Sequence, residues 1–122
     1  MFVQITGGYK WLMNRYQKGD KIAIFGFSRG AYTARALAGM LNKGTELNGV
    51  WTEAIKVNIY SVGLLPAGNE EQVTIAYDIY RTDNKEGYAL SDGFRDTFSR
   101  VVPIEFVGVW YAHRIICIYA LP

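Results

Sequence analysis

The chain has 122 residues, enough for one small domain, and half of them are hydrophobic with 15% aromatic, a globular rather than a disordered composition. Thirteen basic residues against eleven acidic ones leave a net charge of +2, which gives no argument for nucleic acid or an anionic membrane as partner. The single cysteine, Cys117, excludes an internal disulfide and makes a reducing compartment the default.

The first residues, MFVQITGGYKW, lack the basic start and long apolar core of a signal peptide, so the cytoplasm is the default expectation. No run reaches the roughly 18 uncharged apolar residues of a membrane-spanning helix. Ile104 to Leu121 comes nearest, and Glu105, His113 and Arg114 interrupt it. Stable membrane insertion is therefore not expected.

Tyr9, Leu12, Met13 and Tyr16 recur at helical spacing and predict an amphipathic helix over Tyr9–Lys18. Gly19-Asp20 ends it and turns into an apolar strand, Lys21–Phe25. Gly26-Phe27-Ser28-Arg29-Gly30 follows, a G-x-S-x-G sequence, and then a run of helix formers, Ala31 to Leu41. Strand, tight turn, serine and helix make the layout of a nucleophile elbow, with the helix running from about Arg29 to Leu41. Gly26 and Gly30 leave room for the sharp bend and for close helix–strand packing. The helix amino terminus faces the serine, so its dipole and the Arg29 N–H favour developing negative charge. Read on its own, the serine could instead cap the helix in an ordinary βα turn.

Gly44 to Ser61, GTELNGVWTEAIKVNIYS, does not continue the pattern of the preceding helix. Asn69 to about Asp83 reads as another helix, capped by Gly68 or Asn69, with Val73, Ala76, Tyr77 and Tyr80 on its apolar face. Asn84 to Tyr88 reads as a turn, and Ser91 as the cap of a shorter helix carrying Phe94, Phe98 and Val101. Ile104–Trp110, after Pro103, reads as a second strand. There is no repeat and no linker, so residues 1–122 read as one domain.

The segments GYKWLMNRYQKGDKIAIFGFSRGA, GFSRGAYTARALAGML, Val62-Gly63-Leu64-Leu65-Pro66 and EFVGVW together resemble an uncharacterised α/β-hydrolase domain family of fungi and bacteria, related to the type VI secretion phospholipase effectors. The likeness extends over most of the chain. It implies an α/β fold, the central piece of a three-layer α/β-hydrolase sandwich with a short parallel sheet. It also implies a serine hydrolase of lipase or esterase type, acting on a lipid or other ester, phospholipid included. Ser28 would attack the ester carbonyl and the Arg29 N–H would hold the oxyanion. The Arg29 side chain could pair with a substrate phosphate or an internal carboxylate, and Arg35 reads as a structural salt-bridge partner. The aromatic groups Tyr9, Trp11, Tyr16 and Tyr77, Tyr80 read as core stripes before lipid contacts.

The same resemblance shows what is missing. In the family the strand like EFVGVW continues with Asp-Thr-Val, which supplies a candidate triad acid; here Trp110 is followed by YAHRIICIYALP. The family histidine lies in a stretch this chain does not reach, and the family's Asp-Gly-Thr-Trp segment, which forms a strand beside the elbow, is absent too. His113 is the one histidine, at a place where the family has none, and reads as a tail residue. Asp78, Asp83, Asp92 and Asp96 read as solvated or capping carboxylates, and Cys117 as a small apolar side chain. No spacing suggests a metal site, and no cofactor is expected.

In the family a sequence like Leu41-Asn42-Lys43 runs almost directly into Val62-Gly63-Leu64-Leu65-Pro66. Residues 44–61 then read as an insert, either a surface insertion or a translated, unspliced intron. A Gly44 codon can contain a GT donor, Ser61-Val62 can be encoded TCA-GTN with its AG acceptor, and excision restores valine. The codons for Trp110-Tyr111-Ala112 spell GTAYGC, close to a fungal splice donor, so residues 111–122 read as a non-family tail, either intron read-through ending at a stop or a divergent natural carboxyl terminus. On these grounds the chain is expected to be a hydrolase fragment that is inactive alone and poorly stable, with exposed sheet edges. The alternatives are a non-catalytic remnant and a module that holds an anion at the elbow helix. Its oligomeric state is not legible.

Overall fold

The run IAIFGF is dense in residues that suit a buried pleat, and in the computed structural model it forms strand β1, Ile22–Phe27. The structure describes residues 2–41, 61–82, 85–100, 102–111 and 114–120. Helix α1 is Phe2–Arg15, α2 is Arg29–Leu41, α3 is Val73–Arg81 and α4 is Lys85–Phe98; β2 is Ile104–Tyr111 and β3 is Arg114–Ala120. β1 pairs in parallel with β2, which sets Ile24 opposite Val107, Phe25 opposite Gly108 and Gly26 opposite Val109. β2 pairs with β3 in the antiparallel sense, and the order is β1-β2-β3. The sheet is thus mixed where a purely parallel one was expected. Arg114–Ala120, read from sequence as part of a tail, is its third strand.

The two sheet faces differ. Ile22, Val107 and Val109 are buried beneath α2, and each such aliphatic side chain contributes about 1.5–3 kcal/mol by leaving water. The other face carries Phe25 and Phe27, 61% and 69% exposed, with Phe106 and Trp110 beside them. The Phe25 ring lies 5.4 Å from that of Phe106 and 6.0 Å from that of Trp110. Gly108 makes room for this group, since a Cβ there would stand 2.7 Å from the Phe106 ring. Where the sequence points to three layers, the described residues form two, helices on one face and an open aromatic face opposite.

Helix α1 packs chiefly on α2 and α3 rather than on the sheet. It starts at Phe2, seven residues before the expected Tyr9, because Ile5 and Thr6 are buried there. The Thr6 hydroxyl is satisfied by donating to the carbonyl of Phe2 at 2.7 Å. Gly7-Gly8 looks like a breaker in sequence, yet tertiary packing holds it helical: a Cβ on Gly8 would lie 3.1 Å from Leu37 Cδ2 of α2. The expected stripe is correct, with Tyr9 and Met13 buried and Leu12 and Tyr16 half-buried.

The segment after α2 is buried without being regular. Val62, Leu64 and Leu65 are 0% exposed. Their backbone groups are met by Met40, by a two-bond bridge between Leu64 and Arg100, and by the Tyr9 hydroxyl. Asn69 does not cap with its side chain; its backbone carbonyl accepts from Gln72 in a short 3₁₀ turn, Glu70–Gln72, which leads into α3. Val73, Ala76 and Tyr80 are the buried face of α3, as the spacing predicts. Ser91 is not a helix cap. It is a buried residue in the middle of α4, which begins at Lys85, so the turn expected over residues 84–88 is helix from 85 onward. Its short polar pattern mimics a start signal, and burial against the core overrides it. Residues 44–60, Asp83 and His113 lie outside the described residues.

Candidate active site

The bend between β1 and α2 is the strained point of the described backbone. Ser28 has φ 55°, and it is the only non-glycine there with positive φ. A side chain in this left-handed region costs of order 1 kcal/mol or more and persists only where the surroundings fix it. Here two hydrogen bonds do so: the Ser28 N–H donates to the Trp110 carbonyl at 2.8 Å, and the Ser28 carbonyl accepts from Ala31 N–H at 3.0 Å. The first extends the β1–β2 ladder one residue past the strand; the second opens α2. Ser28 is exposed to solvent at this corner. Among the described residues, no histidine or carboxylate hydrogen-bonds its hydroxyl.

The two glycines of the motif do different things. Gly26 faces α2, and a Cβ there would overlap the Gly30 carbonyl and come within 2.8 Å of Ala34 Cβ. Only a residue without a side chain lets the helix cross the strand this closely. A Cβ on Gly30 would meet nothing within 4 Å. Gly30 contributes its backbone to the tight crossing, and the steric need for a missing side chain falls on Gly26. Arg29 and Gly30 begin α2, where helix geometry leaves the first amides without intrahelical acceptors.

A cleft of about 590 Å³ opens beside the bend, lined among others by Gln4, Gly8, Ile24, Arg29, Thr33 and Leu37. Arg29 is exposed and forms no ion pair among the described residues. Arg35 is half-buried on the same helix. Asp92 is salt-bridged to Arg95 at 2.7 Å, and Asp78 and Asp96 are exposed on α3 and α4. Those helices pack on each other, and α3 on α1, rather than at the Ser28 corner. Among the described residues no group of His, Cys, Asp and Glu converges as a metal site, and no helix is long and apolar enough to cross a membrane.

Sequence reasoning missed one residue that shapes this region. Tyr9 is 0% exposed; its hydroxyl donates to the Gly63 carbonyl at 2.6 Å and accepts from Leu65 N–H at 2.9 Å. Burial pushes this hydroxyl up to about 12 from an ordinary 10, against a smaller lowering by the Leu65 amide. The tyrosine is visible in the sequence as a core stripe, but nothing local marks the loop that it holds.

Residues 1–112 match the family model described as T6SS, phospholipase effector Tle1-like, catalytic domain. The chain is 37% identical over 116 residues to the uncharacterized protein YEL023C of Saccharomyces cerevisiae, an alignment covering 87% of this chain and 14% of that protein. The chain therefore spans about a seventh of the length of the curated relative that it matches. No solved structure matches it.

Proposed function

Because the chain belongs to the Tle1-like phospholipase effector catalytic-domain family, we propose that it is the elbow-bearing part of a serine hydrolase that cleaves a carboxylic ester of a lipid, a glycerophospholipid in the first instance. Ser28 is the nucleophile. The observation that carries this is its φ of 55° at the exposed corner between a parallel strand and a helix. That conformation lifts a hydroxyl clear of the sheet, at the end from which α2 presents its unsatisfied amides. A base takes the Ser28 proton as Oγ bonds to the ester carbonyl carbon, and the carbonyl oxygen becomes an oxyanion held by the Arg29 N–H; the carbonyl re-forms as the C–O bond to the alcohol breaks, the proton passes to the departing oxygen, and the acyl-enzyme remains. The proposed parent architecture is an α/β-hydrolase sandwich of which these residues are the central piece. The open aromatic face of Phe25, Phe106 and Trp110 supports that reading, since parallel strands are ordinarily covered on both sides.

In residues 1–122 alone the unit is inactive. A serine needs a base to take its proton and an acid to orient that base, and among the described residues neither bonds to the Ser28 hydroxyl. The test is a fluorophosphonate probe on the 122-residue chain, its Ser28→Ala variant, and the protein read from a transcript spliced at codons 44–61 and 110–111. Labelling of the spliced form alone, lost on Ser28→Ala in that form, is expected. Strong Ser28-dependent labelling of the 122-residue chain would overturn the inactivity, and labelling of neither form would overturn the nucleophile.

A further inference from the structure

Two hydrogen bonds fix the bend at Ser28, one on either side of its Cα. The Trp110 carbonyl holds the peptide group before it, and the Ala31 amide holds the peptide group after it. Rotation about φ turns the first of these groups against the second, so the value of 55° stands only while both bonds stand. The strain of that value and the worth of one backbone hydrogen bond are of similar size. Whatever steadies the Trp110 carbonyl therefore decides whether Ser28 stays in its left-handed conformation.

That carbonyl is steadied from the far side of β2. Backbone groups of successive residues in a strand point to alternate sides. Trp110 points to β1, where its carbonyl accepts from Ser28, so Val109 and Tyr111 point to β3. Their partners in register are Ile116 and Arg114. These two are accordingly the hydrogen-bonded pairs of the β2–β3 ladder, and Trp110 opposite Ile115, between them, is the non-bonded pair.

The peptide group between Trp110 and Tyr111 is thus gripped on both sides. Its C=O accepts from the Ser28 amide, and its N–H is directed at the carbonyl of Arg114. Donation by the N–H polarises the C=O of the same group and strengthens it as an acceptor. The β1–β2 register runs from Ile22 and Ile104 to Phe27 and Trp110. Tyr111 lies one residue beyond it and is aligned by β3.

We infer that β3 is a positioning strand for Ser28: by holding Val109 and Tyr111 through the backbones of Ile116 and Arg114, it fixes the carbonyl that keeps the serine backbone strained and its hydroxyl at the exposed corner. The device serves catalysis only if Ser28 is the nucleophile, and to that extent it rests on the proposed function. The positioning itself is a property of the backbone and can be read without any substrate.

The test is amide hydrogen exchange, read by NMR, on the 122-residue chain and two proline variants. Arg114→Pro combined with Ile116→Pro removes both β3 donors that face β2. Ile115→Pro removes one that faces away and leaves the bonded pairs their donors. The Ser28 amide is expected to exchange faster by about tenfold or more in the double variant, and by less than about threefold in Ile115→Pro. The Ser28 Cα and Cβ shifts should leave the left-handed range in the double variant alone, while the amides of Tyr9 and Met13 in α1 keep their protection in both. Equal acceleration of Ser28 in the two variants, or none in the double variant, would overturn the inference, since a strand that merely adds stability treats both prolines alike. Should a proline variant unfold, seen as loss of protection in α1, the parent chain decides the question. In rising sub-denaturing urea its Ser28 and Tyr111 amides are expected to open together, and separate opening would overturn the inference. Fluorophosphonate labelling enters none of these readings, so a failed nucleophile assignment and a failed positioning role are told apart.

Discussion

The amide of Val62 donates to the carbonyl of Met40 at 2.9 Å, and the amide of Gly63 donates to the same carbonyl at 3.0 Å. The end of α2 is thus closed by residues that lie far beyond it in the chain. If residues 44–61 are left out, Val62 falls four positions after Met40, the spacing of an α-helical bond. Gly63, with φ of +72°, then stands where helices commonly end on a left-handed glycine. The cap is complete without the segment between. Excision of residues 44–61 is therefore expected to preserve the fold and to raise its stability. Closing a loop of about this length costs roughly 2–3 kcal/mol of chain entropy, which the shortened chain avoids. Circular dichroism melts of the two forms check this, and a cooperative melt lost on excision would refute it. Transcript reads across the same codons distinguish an intron from a natural surface insertion.

The Tyr9 hydroxyl makes a second expectation calculable. Removing it in Tyr9→Phe leaves the Gly63 carbonyl and the Leu65 amide buried without their partner. A loss of about 1–3 kcal/mol at neutral pH follows. The pH dependence has a definite sign. The folded hydroxyl sits at about 12 against an ordinary 10, so between these values the unfolded chain gives up its proton first. Stability from this group is whole below pH 10 and drains away as pH rises through about 12, by of order 2 kcal/mol. Denaturant titrations from pH 8 to 12 should show this decline in the parent chain, and a shallower one in Tyr9→Phe.

The sequence and the structure agree best where local chemistry decides. An apolar run, a glycine-flanked serine and a run of alanines and leucine specify β1, the bend and α2, and α2 spans Arg29–Leu41 as read. β1 is displaced by one or two residues, Ile22–Phe27 against Lys21–Phe25. They part where distant contacts decide. The start of α1 depends on burying Ile5 and Thr6, which a Gly-Gly pair disguises. Ser91 looks like a start signal until Lys85–Leu90 are seen to be helical before it. β3 exists as the antiparallel neighbour of β2, and nothing within RIICIYA names that neighbour. The cap of α2 and the Tyr9 staple both join positions more than twenty residues apart, and a periodicity reading has no access to such pairs.

The motif glycines provide a paired experiment, since only one of them is sterically required. In Gly26→Ala the new methyl meets the Gly30 carbonyl and Ala34 Cβ. Helix α2 must lift off the strand, at a cost of about 1–3 kcal/mol by analogy with overpacked cores. Gly30→Ala adds a methyl in open space on a helix, where alanine is favoured over glycine by up to about 1 kcal/mol. Urea melts should therefore move the two variants in opposite directions. Equal destabilisation would mean that the crossing of strand and helix is not set by Gly26.

Ser28 itself should be worth replacing for stability. Its φ of 55° is a conformation that glycine adopts freely and that any other side chain resists. Ser28→Ala keeps the Cβ, and so keeps the strain; Ser28→Gly removes it. Glycine also widens the unfolded ensemble, which offsets part of the gain. The net expectation is that Ser28→Gly is more stable than Ser28→Ala by about 1 kcal/mol, a difference of roughly 3–5 °C in melting temperature for a chain of this size. Comparing the two variants with each other, rather than each with the parent, removes the contribution of the hydroxyl. A glycine variant less stable than the alanine variant would show that the bend is relaxed, and would take away the backbone argument for a nucleophile at this corner.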